Sequence, residues 1–277
     1  MSLTTGSRIA RGRGVVFAGG SQRLETGLVS ACQSGGAHTS RTILLRELSA
    51  LLDAVPAAAE QDDYRRAVVD LNVLGKKTLN SRQRTYRYLR QLYALDPRVI
   101  LFRALRDLWP AEPQARPLLA LLCSLARDAA LRATAPAVLP LPRGALVTAD
   151  ELAKAVRDRY PGAYSWAVAH KVGRNAASSW TQSGHLVATN KGKTRASAAD
   201  GAAATAYALL LGRLDGAAGE GLFKTFWTQV LDAPQSALLE QAVRASQRGW
   251  IELRHAGGVT DVGFRFLLRE NPDESRA

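Results

Sequence analysis

The sequence predicts a mainly α-helical protein: an N-terminal helical bundle followed by winged helix-turn-helix-like modules with short β-hairpin wings. Three observations predict it. Alanine, leucine and arginine, all good helix formers, dominate the composition. Apolar residues recur at helical spacing through the first half. In the second half a helix, a short turn, a second helix and a basic hairpin follow one another, the order of a winged helix.

Residues 1–40 read as a flexible basic arm, glycine-rich, with Arg8, Arg11, Arg13 and Arg23 and no acid before Glu25. A short strand at 15–17 is the alternative there. Residues 41–140 read as a helical domain. Ile43, Leu44, Leu48, Leu51 and Leu52 form an apolar stripe that Pro56 ends. A second helix is expected over 62–71, with Tyr64, Ala67, Val68 and Leu71 on one face, and Gly75 lies in the connector after it. Ser81 is the expected N-cap of a third helix ending near Leu95. A fourth starts at Asp96-Pro97 and a fifth carries Leu118 to Leu131, before Pro136, Pro140 and Pro142 make a stiff link.

Residues 145–197 read as the winged-helix-like domain. Thr148 and Glu151 have capping-box spacing. Ser165 caps the next helix, Gly184 ends it, and residues 185–189 read as a strand turning at 190–193. Residues 198–270 form a C-terminal helical domain with a terminal β-hairpin, in which 250–254 pairs with 259–267. It reads as a second winged-helix-like module.

The chain has 277 residues, 47% hydrophobic and 22% charged, which argues against wholesale disorder. Its net charge of +13, from 37 Lys+Arg against 24 Asp+Glu, favours polyanionic partners. Cys32 and Cys123 are isolated, which excludes a zinc ribbon or disulfide scaffold and suits a reducing cytoplasm. The first twenty residues lack the apolar core of a secretory signal. The most apolar stretch, 118–125, is too short to span a membrane. A soluble cytoplasmic protein with no membrane partner is expected.

The positive charge clusters. Between Asp70 and Asp96 there is no acid, yet Lys76, Lys77, Arg82, Arg84, Arg87 and Arg90 fall there. At 100° per residue, Arg84, Arg87 and Arg90 share one arc, and Leu89 and Leu92 the opposite one. Tyr86, Tyr88 and Tyr93 interleave, as base-stacking platforms or as core. In the helix opened by Ser165, a stripe of Trp166, Ala169, Val172, Gly173, Ala176 and Trp180 faces the preceding helix. Lys171, Arg174, Asn175, Ser178 and Gln182 point outward, side chains suited to base edges and phosphates. Lys191, Lys193 and Arg195 sit on the wing. The competing readings are a solvated basic face and a winged helix used for protein contacts.

No catalytic centre is recognisable, and no cofactor or metal is expected. Gly192-Lys193-Thr194 resembles the end of a P-loop, but Val187 stands where the earlier glycine belongs and a hairpin, not a helix, surrounds it. His38, His170, His185 and His255 are scattered and form no metal pair. The carboxylate pairs Asp62-Asp63 and Asp150-Glu151 both begin helices, where acids favour the dipole.

Leu44-Leu45-Arg46-Glu47, the Asn72-Val73-Leu74 connector with Lys76-Lys77, Ser81-Arg82-Gln83-Arg84, Arg127-Asp128 and the segment 175–186 together resemble the BrxA family, a small component of BREX phage-exclusion systems. The resemblance covers residues 40–188. It implies a helical N-terminal part joined to a winged helix, DNA binding, and other BREX components, including a DNA methyltransferase, as partners. This chain departs from the family by about ninety residues after the first wing and by its N-terminal arm. The reading that results is a non-enzymatic protein of bacterial anti-phage defence that binds double-stranded DNA through Arg and Lys faces. An adaptor within the defence complex and an RNA-binding protein are the alternatives.

Overall fold

Leu48, Leu51 and Leu52 are the residues that α1 (Leu45–Ala54) buries, and the helix stops at Val55, just before Pro56. The computed structural model describes residues 26–28, 34–199, 201–256 and 259–269. The arginines of the expected arm and the strand expected at 15–17 lie outside them. Residues 37–39, assigned from sequence to the end of that arm, instead form a 3-10 turn with Ala37 and His38 buried.

A capping box between Glu60 and Asp63 opens α2 (Gln61–Arg65), which passes into a π-helical turn over Arg66–Asp70. Thr78, not Ser81, caps α3 (Leu79–Tyr93): its hydroxyl accepts the Ser81 N–H at 3.1 Å. Two left-handed residues, Ala94 and Leu95, then turn the chain into α4 (Ile100–Leu108). Next come α5 (Arg116–Arg127), buried without a break from Leu118 to Ala126, and α6 (Ala129–Arg132), capped by Asp128. A helix that is apolar all round belongs at the centre of a core, and α5 is there.

The second half contains β1 (Leu146–Val147), α7 (Ala149–Arg159), α8 (Trp166–Gln182), β2 (Leu186–Thr189) and β3 (Gly192–Arg195), the strands forming an antiparallel sheet in the order β1-β3-β2. The expected capping box at Thr148 and Glu151 and the Ser165 cap both form. Beyond it, α9 (Ala202–Leu214) is buried from Ala202 to Gly212 and packs on α4 and α5 as well as on α10 (Phe226–Gln229) and α11 (Gln235–Gln247). The described residues close with the hairpin β4 (Glu252–Ala256) and β5 (Val259–Gly263) and the short α12 (Arg265–Leu268). The strand expected over 259–267 stops early because Phe264, Leu267 and Leu268 are all buried, a helical rather than an alternating spacing. The hairpin pairs with no third strand among the described residues.

One continuous apolar core runs from Ala37 to Leu268 and includes Tyr93, Phe102, Trp109, Trp180, Tyr207 and Trp227. A smaller cluster, with Ala133, Val156, Tyr160, Ala169 and Val172, sits between α6, α7 and α8. Among the described residues no helix is long and apolar enough to cross a membrane.

The α7–α8 crossing sets the attitude of α8, and glycine makes it possible: a Cβ on Gly173 would lie 2.2 Å from the Ala149 carbonyl oxygen. Gly173→Ala should therefore lower stability by about 1–3 kcal/mol, as overpacking does, despite alanine's better helix propensity. A urea midpoint equal to or above that of the parent would show that the helices do not cross this closely.

Candidate nucleic-acid interface

The outer face of α8 is set by what its inner face holds. Trp180 is fully buried and its indole N–H donates to Thr134 Oγ1 at 2.8 Å. Gly184, at φ 87, ends the helix in the left-handed region and feeds β2. His185 is buried between Ser183 Oγ (2.9 Å) and the Val230 carbonyl (2.8 Å), and burial pushes its pKa down to about 4. Arg195, expected as a wing cation, is instead buried: it donates to the Val138 carbonyl and pairs with Asp232 at 2.7 Å, fastening β3 to the C-terminal part.

Outward, Ala167, Lys171 and Arg174 are exposed in successive turns. Ser178 is half-buried, donates to the Arg174 carbonyl (3.1 Å) and accepts from Lys193 Nζ (3.2 Å), so the wing leans on the helix. Burial lowers the Lys193 pKa. Lys191, at the hairpin tip, is exposed. Two expectations change here. Asn175 is not free for a base edge, because its amide donates to the His38 carbonyl at 2.8 Å. Trp166 is 48% exposed instead of buried, with the Arg157 guanidinium 5.6 Å from its ring centroid.

On α3 the expected arc forms: Arg84, Arg87 and Arg90 are exposed and Leu89 and Leu92 fully buried. Tyr88 lies among cations, with the Arg41 guanidinium 5.2 Å and that of Arg87 5.0 Å from its ring centroid. A hydrogen bond with Ser40, aided by Arg87 and Arg84, holds its phenol below the usual tyrosine range. Arg41 escaped the sequence reading because nothing local marks it as a neighbour of α3. Two expected contact residues are committed inside the fold: Lys76 pairs half-buried with Glu47 at 2.9 Å, and Arg82 donates to the Val69 carbonyl of the π turn at 3.2 Å. Lys77 stays exposed.

The segment 34–43 joins these two faces, pinned by a network the sequence did not reveal. His38 Nδ1 lies 2.8 Å from Asp128 Oδ2 and Nε2 lies 2.7 Å from Ser179 Oγ. Asp128 also accepts the His38 N–H at 2.9 Å and, through its other oxygen, caps α6 at Leu131 (3.0 Å). Asp, His and Ser in this sequence of contacts have the connectivity of a hydrolytic triad. Their placement does not serve attack. All three side chains are buried, and Ser179 Oγ already receives the Ile43 N–H (3.0 Å) and contacts the Asn175 carbonyl (3.0 Å), where an incoming carbonyl would have to sit. The network works as a pin.

The exposed cations of both faces are in no ion pair among the described residues. Acids do pair with Arg65, Arg66, Lys76, Arg98, Arg116, Lys154, Arg195, Lys224, Arg248, Arg265 and Arg269. None is among the exposed cations of α3, α8 or the hairpin tip. Among the described residues no group of three or more His, Cys, Asp or Glu could hold a metal ion. No protein-family model and no curated protein matches the chain.

Two outcomes follow for the scaffold of this surface. Asp128→Ala, which orphans a buried imidazole, should cost about 3–5 kcal/mol in urea unfolding; a loss below 1 kcal/mol would demote the pin. His185 has a folded pKa depressed from 6.5 to about 4, so the unfolded chain takes up its proton first and stability falls as pH drops from about 6.5 to about 4. His185→Gln should flatten that part of a stability-against-pH curve. An unchanged acid slope would mean that other groups set it.

Proposed function

We propose that this protein is a non-enzymatic binder of double-stranded DNA. In this reading β1, α7, α8, β2 and β3 form a winged helix, whose strand order β1-β3-β2 it shares. The outer face of α8, with Lys171 and Arg174, enters the major groove, and Lys191 and Lys193 on the hairpin approach the backbone. Arg84, Arg87, Arg90 and Lys77, joined by Arg41, grip phosphates further along the duplex, where the planar guanidinium fork suits two oxygens.

One observation carries the proposal. At least eleven described Lys and Arg side chains are paired with acids, yet Arg84, Arg87, Arg90, Lys171, Arg174 and Lys191 are in no ion pair among the described residues. Cations gathered without counterions are what a polyanion, by releasing its own condensed ions, stabilises. The resemblance to BrxA proteins supports placing this activity in a BREX-like anti-phage assembly, with a DNA methyltransferase among its partners.

A second reading, an adaptor within such an assembly, is favoured by one feature. An open groove of about 590 Å³ between α6, α7 and α10 is lined by apolar Ala133, Pro136, Ala155 and Phe226 together with charged residues of both signs, among them Glu151, Lys154 and Asp158.

Fluorescence anisotropy against duplex DNA, single-stranded DNA and RNA across a salt series separates the readings. Duplex preference is expected, with log K falling by about 0.9 per phosphate contacted for each unit of log salt. Arg84→Glu, Arg87→Glu and Arg90→Glu combined should abolish binding with the helical circular dichroism unchanged. Equal affinity of this variant would remove α3 from the interface, and no binding at low salt would hand the basic faces to a protein partner.

A further inference from the structure

The outer face of α8 is chemically one-sided. Each of its Ser, Thr, Asn, Gln and His side chains makes a hydrogen bond or ion pair within the protein. Ser165 Oγ caps the Val168 N–H, His170 pairs with Asp150, the Asn175 amide nitrogen is bound to His38, Ser178 receives Lys193, Thr181 bonds the Ala177 carbonyl, and Gln182 Oε1 accepts the Leu45 N–H. The exposed remainder is two cationic donors, Lys171 and Arg174, two aliphatic groups, Ala167 and Val168, the latter 39% exposed, and Trp166 beside Arg157.

Base edges in the major groove sort against such a face. Adenine is read by an amide fork that donates to N7 and accepts from N6, and cytosine by an acceptor for its N4 amine. Asn175 is half-buried with its amide nitrogen held on the His38 carbonyl, so it does not present that fork, and α8 itself carries no carboxylate. Guanine offers two acceptors, O6 and N7, to Lys or Arg, and thymine offers a methyl group to Ala or Val.

We infer that α8 is a reader of keto bases: Lys171 and Arg174 select guanines, and Ala167 with Val168 selects a thymine methyl towards the helix N-terminus. This rests on the DNA-binding reading and adds the base class to it. Helix geometry gives the spacing. At about 1.5 Å per residue, Lys171 and Arg174 stand about 4.5 Å apart along the axis, close to the ~3.4 Å of one base step. Ala167 lies about 6 Å before Lys171, roughly two steps. The element read is thus two neighbouring G·C pairs with an A·T pair one or two steps away.

Selection of bound duplexes from a randomised pool by the full chain tests this, followed by anisotropy on the enriched sequence. A G·C pair-of-pairs flanked by A·T should emerge. Replacing either guanine by 7-deazaguanine should weaken binding about fivefold to a hundredfold, and replacing the thymine by uracil, which removes one methyl group, about fourfold. Arg174→Ala and Lys171→Ala should each erase the preference at one G·C position, with a larger loss of affinity on the enriched duplex than on unrelated ones. Both residues are exposed, so circular dichroism should match the parent. Tight binding without enrichment overturns the inference and leaves DNA binding standing. So does a loss in both variants that is uniform across sequences, with the salt slope shallower by about one, since that marks phosphate contacts. No binding to any duplex overturns both.

Discussion

The imidazole of His38 is where three stretches of chain distant in sequence meet. It joins segment 34–43, the start of α6 at Asp128 and the middle of α8 at Ser179, all within hydrogen-bond distance and away from water. A buried ring with one nitrogen unpartnered would cost far more than the same ring exposed, so the network is favourable only as a completed whole. Asp128 answers that demand with both oxygens. Gly36, at φ 137, lets the backbone approach so closely that a Cβ there would fall 2.0 Å from the Asp128 carboxylate. The placement of Arg41 beside Tyr88, and of Asn175 under the His38 carbonyl, follows from this pin. So does the relation between the two basic faces.

Those faces differ in kind. On α3 the Arg87 guanidinium lies over the buried Tyr88 ring, with Arg41 beside it, so these two are restrained beforehand and lose less freedom on binding. Among the described residues Lys171 and Arg174 of α8 are in no ion pair or cation–π contact, whereas Lys193 on the wing is held by Ser178. A restrained cation suits a phosphate whose position along a duplex is fixed. A freer one suits a base edge that has to be found.

Features governed by neighbours in sequence were legible in the sequence. The Thr148–Glu151 box, the Ser165 cap and the Gly184 terminus need only three or four residues of context. The α3 arc followed from the helical period alone. What could not be read were commitments to distant partners. Lys76 looks like a free cation until Glu47 is beside it, Arg195 until Asp232 is, and Asn175 until the His38 carbonyl arrives from 137 residues away. The three members of the His38 network carry no spacing that betrays them. Trp166 was misplaced for a subtler reason: helical phase puts it at the margin of the buried stripe, and period alone does not say how far a neighbouring helix covers that margin.

The 141 residues between His38 and Ser179 also have a meaning in time. Chains are synthesised at roughly 5–20 residues per second, so roughly 7–28 s separate the two side chains at the ribosome. For that interval the first helices must wait with His38 unable to find its serine, and α5, apolar on every side, has no α9 to cover it. A protein closed by such a late contact is most exposed to chaperones and to aggregation while it is half made. Its folding in the cell should therefore respond to translation speed and chaperone supply more than the stability of the finished molecule would suggest.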